Sequence, residues 1–128
     1  MKGISFSKEE AEMKKTRIFI YCRVSCNELR YLLNYQEEVL SELAYSLGID
    51  VVAVAKEISN GENFHTRGIQ SLIHYITSRK VEIVGVYEQT RLCIHDDLYA
   101  EFQMICSLYN VKIVTINDLR ERNSNHLL

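Results

Sequence analysis

The stretch that decides the fold is Arg17–Ser25, RIFIYCRVS: an apolar, β-prone run that ends in a cation and a hydroxyl two residues apart. Arg17–Cys22 has the composition of a buried strand. Residues at i and i+2 of a strand point to the same side, so Arg23 and Ser25 share a neighbourhood at the strand's mouth. A guanidinium presents a rigid donor fork that fits phosphate oxygens. A serine hydroxyl becomes a nucleophile when its surroundings activate it. Together they suggest phosphoryl transfer.

Working outward, strands and helices alternate. Asn27 is a helix N-cap by type, and Leu29, Leu32, Leu33, Val39, Leu40, Leu43 and Leu47 recur at helical spacing until Gly48. A second strand is read at Asp50–Ala55, and Glu57–Thr66 has the composition of a surface loop. Ile69, Leu72, Ile73 and Ile76 line one face of a helix over Gly68–Ser78. Val81–Tyr87 reads as a third strand. Asp96 or Asp97 caps a helix to about Tyr109, and Val111–Ile116 is a fourth strand. Near-continuous apolar strands separated by helices predict a three-layer αβα domain on a mainly parallel central sheet of four to five strands. In such sheets ligands sit beyond the carboxyl ends of the strands, where strand order reverses. With the first strand between the second and third, Ser25 and Thr90-Arg91-Leu92-Cys93 become neighbours.

The flanks differ from this body. Residues 1–15 are polar and charged without sustained periodicity and read as a flexible tail, lacking the pattern of a secretory signal. The domain is placed at 16–118. Residues 119–128 are a polar tail or the start of a helix, in which Asp118–Arg122 takes part.

The 128 residues suffice for one domain with one core, and 47% hydrophobic and 25% charged residues are ordinary for a globular chain. The four cysteines (22, 26, 93 and 106) form no CxxC pair and no zinc spacing, so they read as reduced thiols of a cytoplasmic protein. No metal and no cofactor is expected. No apolar stretch approaches a membrane span. A free-standing DNA-binding module carries a basic excess, whereas the net charge here is −2. Affinity for DNA would have to come from a partner or another domain.

Three arginines fall at segment ends: Arg23, Arg67 and Arg91. Preorganised cations are a large catalytic term when charge develops on phosphate oxygens. The plainer reading is that segment ends are where surface arginines occur anyway. Gln36 can orient a backbone or a phosphate, or be a solvated helix residue. Ser59-Asn60-Gly61 can cradle an anion through its amides, or be a tight turn. His65, His74 and His95 lack metal-ligand spacing. Cys22 does not open a cysteine-phosphatase loop, because the sixth residue after it is Glu28 rather than arginine.

These residues bring the chain to a known family. From about Arg17 to Asn117 it resembles the catalytic domain of the serine recombinases, the resolvase/invertase and large serine integrase group. Tyr21-x-Arg23-Val24-Ser25 matches the strand-one motif, and Leu33-x-x-Gln36 the start of the first helix. Ile58-Ser59-Asn60-Gly61 followed by Arg67-Gly68-Ile69 resembles the glycine-containing loop and its arginine, without the usual proline. Val84-x-Val86-Tyr87 and Thr90-Arg91-Leu92 fall where the family carries Asp-Arg-Leu-Ser-Arg. The resemblance implies that Ser25 is the nucleophile and that Arg23, Arg67 and Arg91 bind phosphate, with Tyr21, Gln36, Thr90 and Cys93 supporting. It implies a site-specific DNA recombinase that works through a 5′-phosphoserine link, as a dimer that forms a tetramer in synapsis, without metal or nucleotide. Two departures point to an alternative. Thr90 stands for the motif's aspartate and Ile94 for its second arginine, with Cys93 for the serine between them. A catalytically degenerate relative kept for protein interaction or regulation would look like this. Family members continue into a long helix and a DNA-binding domain, and no such domain is expected within these residues. An unrelated flavodoxin-like binding module is the third reading.

Overall fold

The computed structural model describes residues 15–127, so the reading of 1–15 as a tail lies, Lys15 apart, outside the described residues. Strand β1 spans Arg17–Val24 and leads through a 3₁₀ turn, Asn27–Leu29, into helix α1 (Tyr31–Ser46). There follow β2 (Asp50–Ile58), α2 (Arg67–Thr77), β3 (Ile83–Val86), a second 3₁₀ turn (Gln89–Arg91), α3 (Asp96–Leu108), β4 (Lys112–Thr115) and α4 (Ile116–Leu127).

The four strands form one sheet in the order β2-β1-β3-β4, and each neighbouring pair is parallel. β1 is central and buried on both faces, which its unbroken apolar run requires. Its side chains divide between two cores. Ile18, Ile20, Cys22 and Val24 pack with Leu33, Leu40 and Ala44 of α1 and with Leu119 of α4. Phe19 and Tyr21 pack with Ile69, Leu72 and Ile76 of α2 and with Phe102 and Cys106 of α3. The result is the predicted three-layer domain, with four strands, all parallel.

Several boundaries shift. β1 continues two residues past Cys22, because Arg23 and Val24 pair with Glu57 and Ile58. Those two residues therefore belong to β2 and not to the expected loop. Asn27 does not cap α1: its carboxamide oxygen accepts from the Arg30 side chain, and the helix begins after the 3₁₀ turn. His95, not an aspartate, holds the N-cap position of α3, without a side-chain cap bond. The polar end is helical from Ile116, and its Leu119 is buried in the α1-side core. Its sequence hides this because few of its side chains are apolar.

Candidate active site

The strand order reverses between β1 and β3, so the loops after β1, β2 and β3 meet at the carboxyl edge. Arg23 ties them together. Its guanidinium donates from Nη1 to the Ser59 carbonyl at 2.7 Å, from Nη2 to Thr90 at 2.6 Å and from Nε to Arg91 at 3.1 Å. Only 3% of the residue is exposed. Burial pulls its pKa below the ordinary guanidinium value, and the charge of Arg91 acts in the same direction. Gly61 covers the group: a Cβ there would lie 2.8 Å from Arg23 Cζ, and its φ of +72° disfavours other residues as well. The Gly61 carbonyl accepts from Ile94 N, which joins the β2 and β3 loops directly. Asn60 closes a tight turn onto Glu62 N.

Gln36 is buried (2% exposed) and makes a reciprocal pair with the backbone of Arg23, each bond 3.2 Å long. It orients a backbone, and the solvated reading is corrected. The pairing explains how a polar residue tolerates the inner face of α1: both of its polar atoms are matched.

Tyr21 reaches the other side of this frame. Its hydroxyl donates to the Glu57 carboxylate, which also accepts from Thr66 Oγ1 (2.7 Å) and Gly68 N (2.9 Å). Burial, followed by the hydrogen bond to Glu57, pushes the Tyr21 pKa up. Thr66 caps α2 by accepting from Ile69 N. Glu57 thus holds the helix start from which Arg67 projects. Sequence reading missed Glu57 by assigning it to a loop, and its place in the strand shows only in its pairing opposite Arg23.

Beyond this frame Ser25, Arg67 and Thr90 are open, and Arg91 and Cys93 are not. Ser25 is exposed one residue past β1, and Arg67 is exposed at the first position of α2. Arg91 is partly buried, with Glu88 Oε2 3.3 Å from its Nε. That Nε is shut off from solvent and makes no well-directed hydrogen bond. Thr90 is exposed and contributes its carbonyl to Arg23. Cys93 lies in the α2–α3 core, where burial pushes its thiol up to about 11, with Arg23 opposing. Ile94 is 44% exposed. No group of three or more His, Cys, Asp or Glu among the described residues could hold a metal ion.

A parallel αβα domain with an exposed serine at the carboxyl edge of its central strand, just past an arginine that locks three loops, has the architecture of a serine recombinase catalytic domain. The chain matches the family model described as "Resolvase, N terminal domain" over residues 18–128 and belongs to that family. Among solved structures it is similar to the C-terminal catalytic domain of ISC1926 TnpA, an IS607-like serine recombinase. That match has 29% identity and a TM-score of 0.74, over 78% of this chain and 70% of the other. A serine recombinase from Sulfolobus solfataricus matches at 25% identity and TM-score 0.69, over 81% and 70% of the two chains. The N-terminal catalytic domain of TP901-1 integrase, at 21% identity and TM-score 0.70 over 80% and 78%, shares the fold.

Proposed function

We propose that this domain is the catalytic part of a site-specific DNA recombinase, with Ser25 as nucleophile. The observation that carries the reading is Ser25 itself: an exposed hydroxyl immediately beyond the rigid Arg23–Gln36 frame. In the step proposed, Ser25 Oγ gives up its proton and bonds to the phosphorus of a DNA phosphodiester as the bond to the 3′-oxygen breaks. A 5′-phosphoserine link and a 3′-hydroxyl result, the latter taking up a proton. Arg67, exposed, and Arg91, partly buried, are the guanidiniums this reading assigns to developing phosphate charge. Arg23 acts chiefly by holding the loops, since three of its donors are committed to carbonyls. The chemistry calls for no metal or nucleotide cofactor.

DNA is then the partner, with its affinity completed by a further domain or protein, because the net charge is −2. Association into a dimer, and a tetramer in synapsis, a cytoplasmic location and a mobile-element origin complete this reading. No helix among the described residues is long and apolar enough to cross a membrane.

A second reading, a degenerate relative retained for interaction or regulation, is favoured by two positions. Thr90 and Ile94 place no carboxylate and no cation where the resemblance expects them. Thr90 cannot serve as a general acid near neutral pH.

Incubation with supercoiled DNA under conditions that trap covalent adducts separates the two. Recombinase chemistry yields an adduct with the native chain and none with Ser25→Ala. An adduct surviving Ser25→Ala, or none with any DNA offered, overturns Ser25 catalysis.

A further inference from the structure

We propose that Glu88 is a positioning residue that competes with phosphate for Arg91. The inference rests on reading Arg91 as a phosphate ligand, and is independent of whether Ser25 attacks. Glu88 is the last residue before the 3₁₀ turn Gln89–Arg91. The turn folds Arg91 back onto it: Arg91 N donates to the Glu88 carbonyl at 2.9 Å. The same fold sets Glu88 Oε2 3.3 Å from Arg91 Nε. A carboxylate and a phosphate offer a guanidinium the same kind of acceptor edge. The Nε edge of Arg91 therefore already faces an anion supplied by its own chain.

Two neighbouring facts make this contact matter. Arg23 cannot take over the role of Arg91 without surrendering bonds to Ser59, Thr90 and Arg91 carbonyls. The Arg91 Nε is also shut off from solvent without a well-directed hydrogen bond, so it gains when a better-placed acceptor replaces Glu88. A phosphate that takes the Nε edge must displace the carboxylate, which raises the threshold for binding there. The ion pair sets the size of the effect. The side chain of Glu88 is 53% exposed and that of Arg91 24%, and pairs open to solvent are individually weak. The consequence is severalfold in affinity.

The test titrates inorganic phosphate, and separately a short DNA duplex, into the full chain at low ionic strength. Phosphate binding is followed on the backbone amide NMR signals of Gln89–Leu92, and duplex binding by the anisotropy of a labelled strand. Glu88→Gln keeps the backbone turn and removes the charge, and is expected to bind phosphate about two- to fivefold more tightly. Glu42→Gln, on the exposed face of α1, makes the same change in net charge and should give less than half that gain. In Glu88→Gln combined with Arg91→Gln the gain should vanish. Equal gains for Glu88→Gln and Glu42→Gln, a gain that survives without Arg91, or no gain at all would each overturn the proposal. A phosphate gain without any DNA adduct would sink the recombinase reading and leave Glu88 standing; an adduct without the gain would do the reverse.

Discussion

Arg23 acts as a strut at the scale of single residues, and its substitution should be felt as lost stability before anything else. Its three acceptors come from two loops that lie 36 to 68 residues away in sequence. Lysine offers a point charge in place of a fork, so Arg23→Lys can serve one or two of these carbonyls at best. The expected loss is about 2–4 kcal/mol in urea denaturation, from carbonyls left buried and unmatched. Amide exchange at Ser59–Gly61 and at Thr90–Ile94 should accelerate with it; unchanged exchange in both loops would refute the strut. The cysteines give a second expectation. Burial pushes Cys22 and Cys106 up to about 12 and Cys93 up to about 11, whereas Cys26 is exposed. A thiol reagent at mildly alkaline pH should therefore modify Cys26 alone in the native protein and all four thiols after denaturation. Above the ordinary thiol pKa of 9.0 the unfolded chain releases thiol protons that the folded chain keeps. Stability should consequently fall as pH rises from about 9 toward 12, the sign set by raised native pKa values. The strand motif around Arg23 was legible in the sequence, but its acceptors were not, because backbone carbonyls carry no residue signature.

At the scale of elements, the start of α2 is held by a carboxylate from a different strand, and glycine there is dictated by that carboxylate. A Cβ on Gly68 would lie 2.6 Å from Glu57 Cδ. Helix propensity alone predicts that Gly68→Ala stabilises by up to ~1 kcal/mol. The contact predicts the opposite: displacement of Glu57, loss of its bonds to Thr66 and Gly68, and net destabilisation of about 1–2 kcal/mol. Thermal unfolding of Gly68→Ala decides the sign, and a raised Tm would show that Glu57 is not fixed. Apolar periodicity made α1, α2 and α3 legible, since each buries a stripe against the sheet. It failed for α4, where Leu119 anchors a mostly polar helix, and for the end of β2, where Glu57 is charged yet paired in register. Polar residues used for support resemble loop residues until their partners are known.

For the whole molecule, the question is whether the scaffold is intact around a depleted pocket. The loops are locked, Ser25 is open, and the two departures from the recombinase motif sit on surfaces that accept change. Thr90 is exposed and Ile94 is 44% exposed, so an aspartate at the first and an arginine at the second would meet no buried wall. Thr90 takes part in the site through its carbonyl, which the exchange keeps, and the Ile94 side chain has no hydrogen bond to lose. Thr90→Asp with Ile94→Arg therefore should fold with a Tm close to the parent. It would also return to the site a carboxylate for proton handling and a cation for phosphate charge. Removing a single preorganised donor commonly costs about 10²–10³ in rate. If that donor is what the pocket lacks, the double variant should raise the trapped DNA adduct at least tenfold over the native chain, and Ser25→Ala in the same background should abolish it. A folded double variant with no increase would place the deficit elsewhere, in the Glu88 contact on Arg91 or in affinity for DNA. Adding Glu88→Gln to the double variant then separates those two. Greater adduct yield locates the barrier at Arg91, and unchanged yield locates it in DNA recruitment, where a net charge of −2 gives little attraction to phosphates.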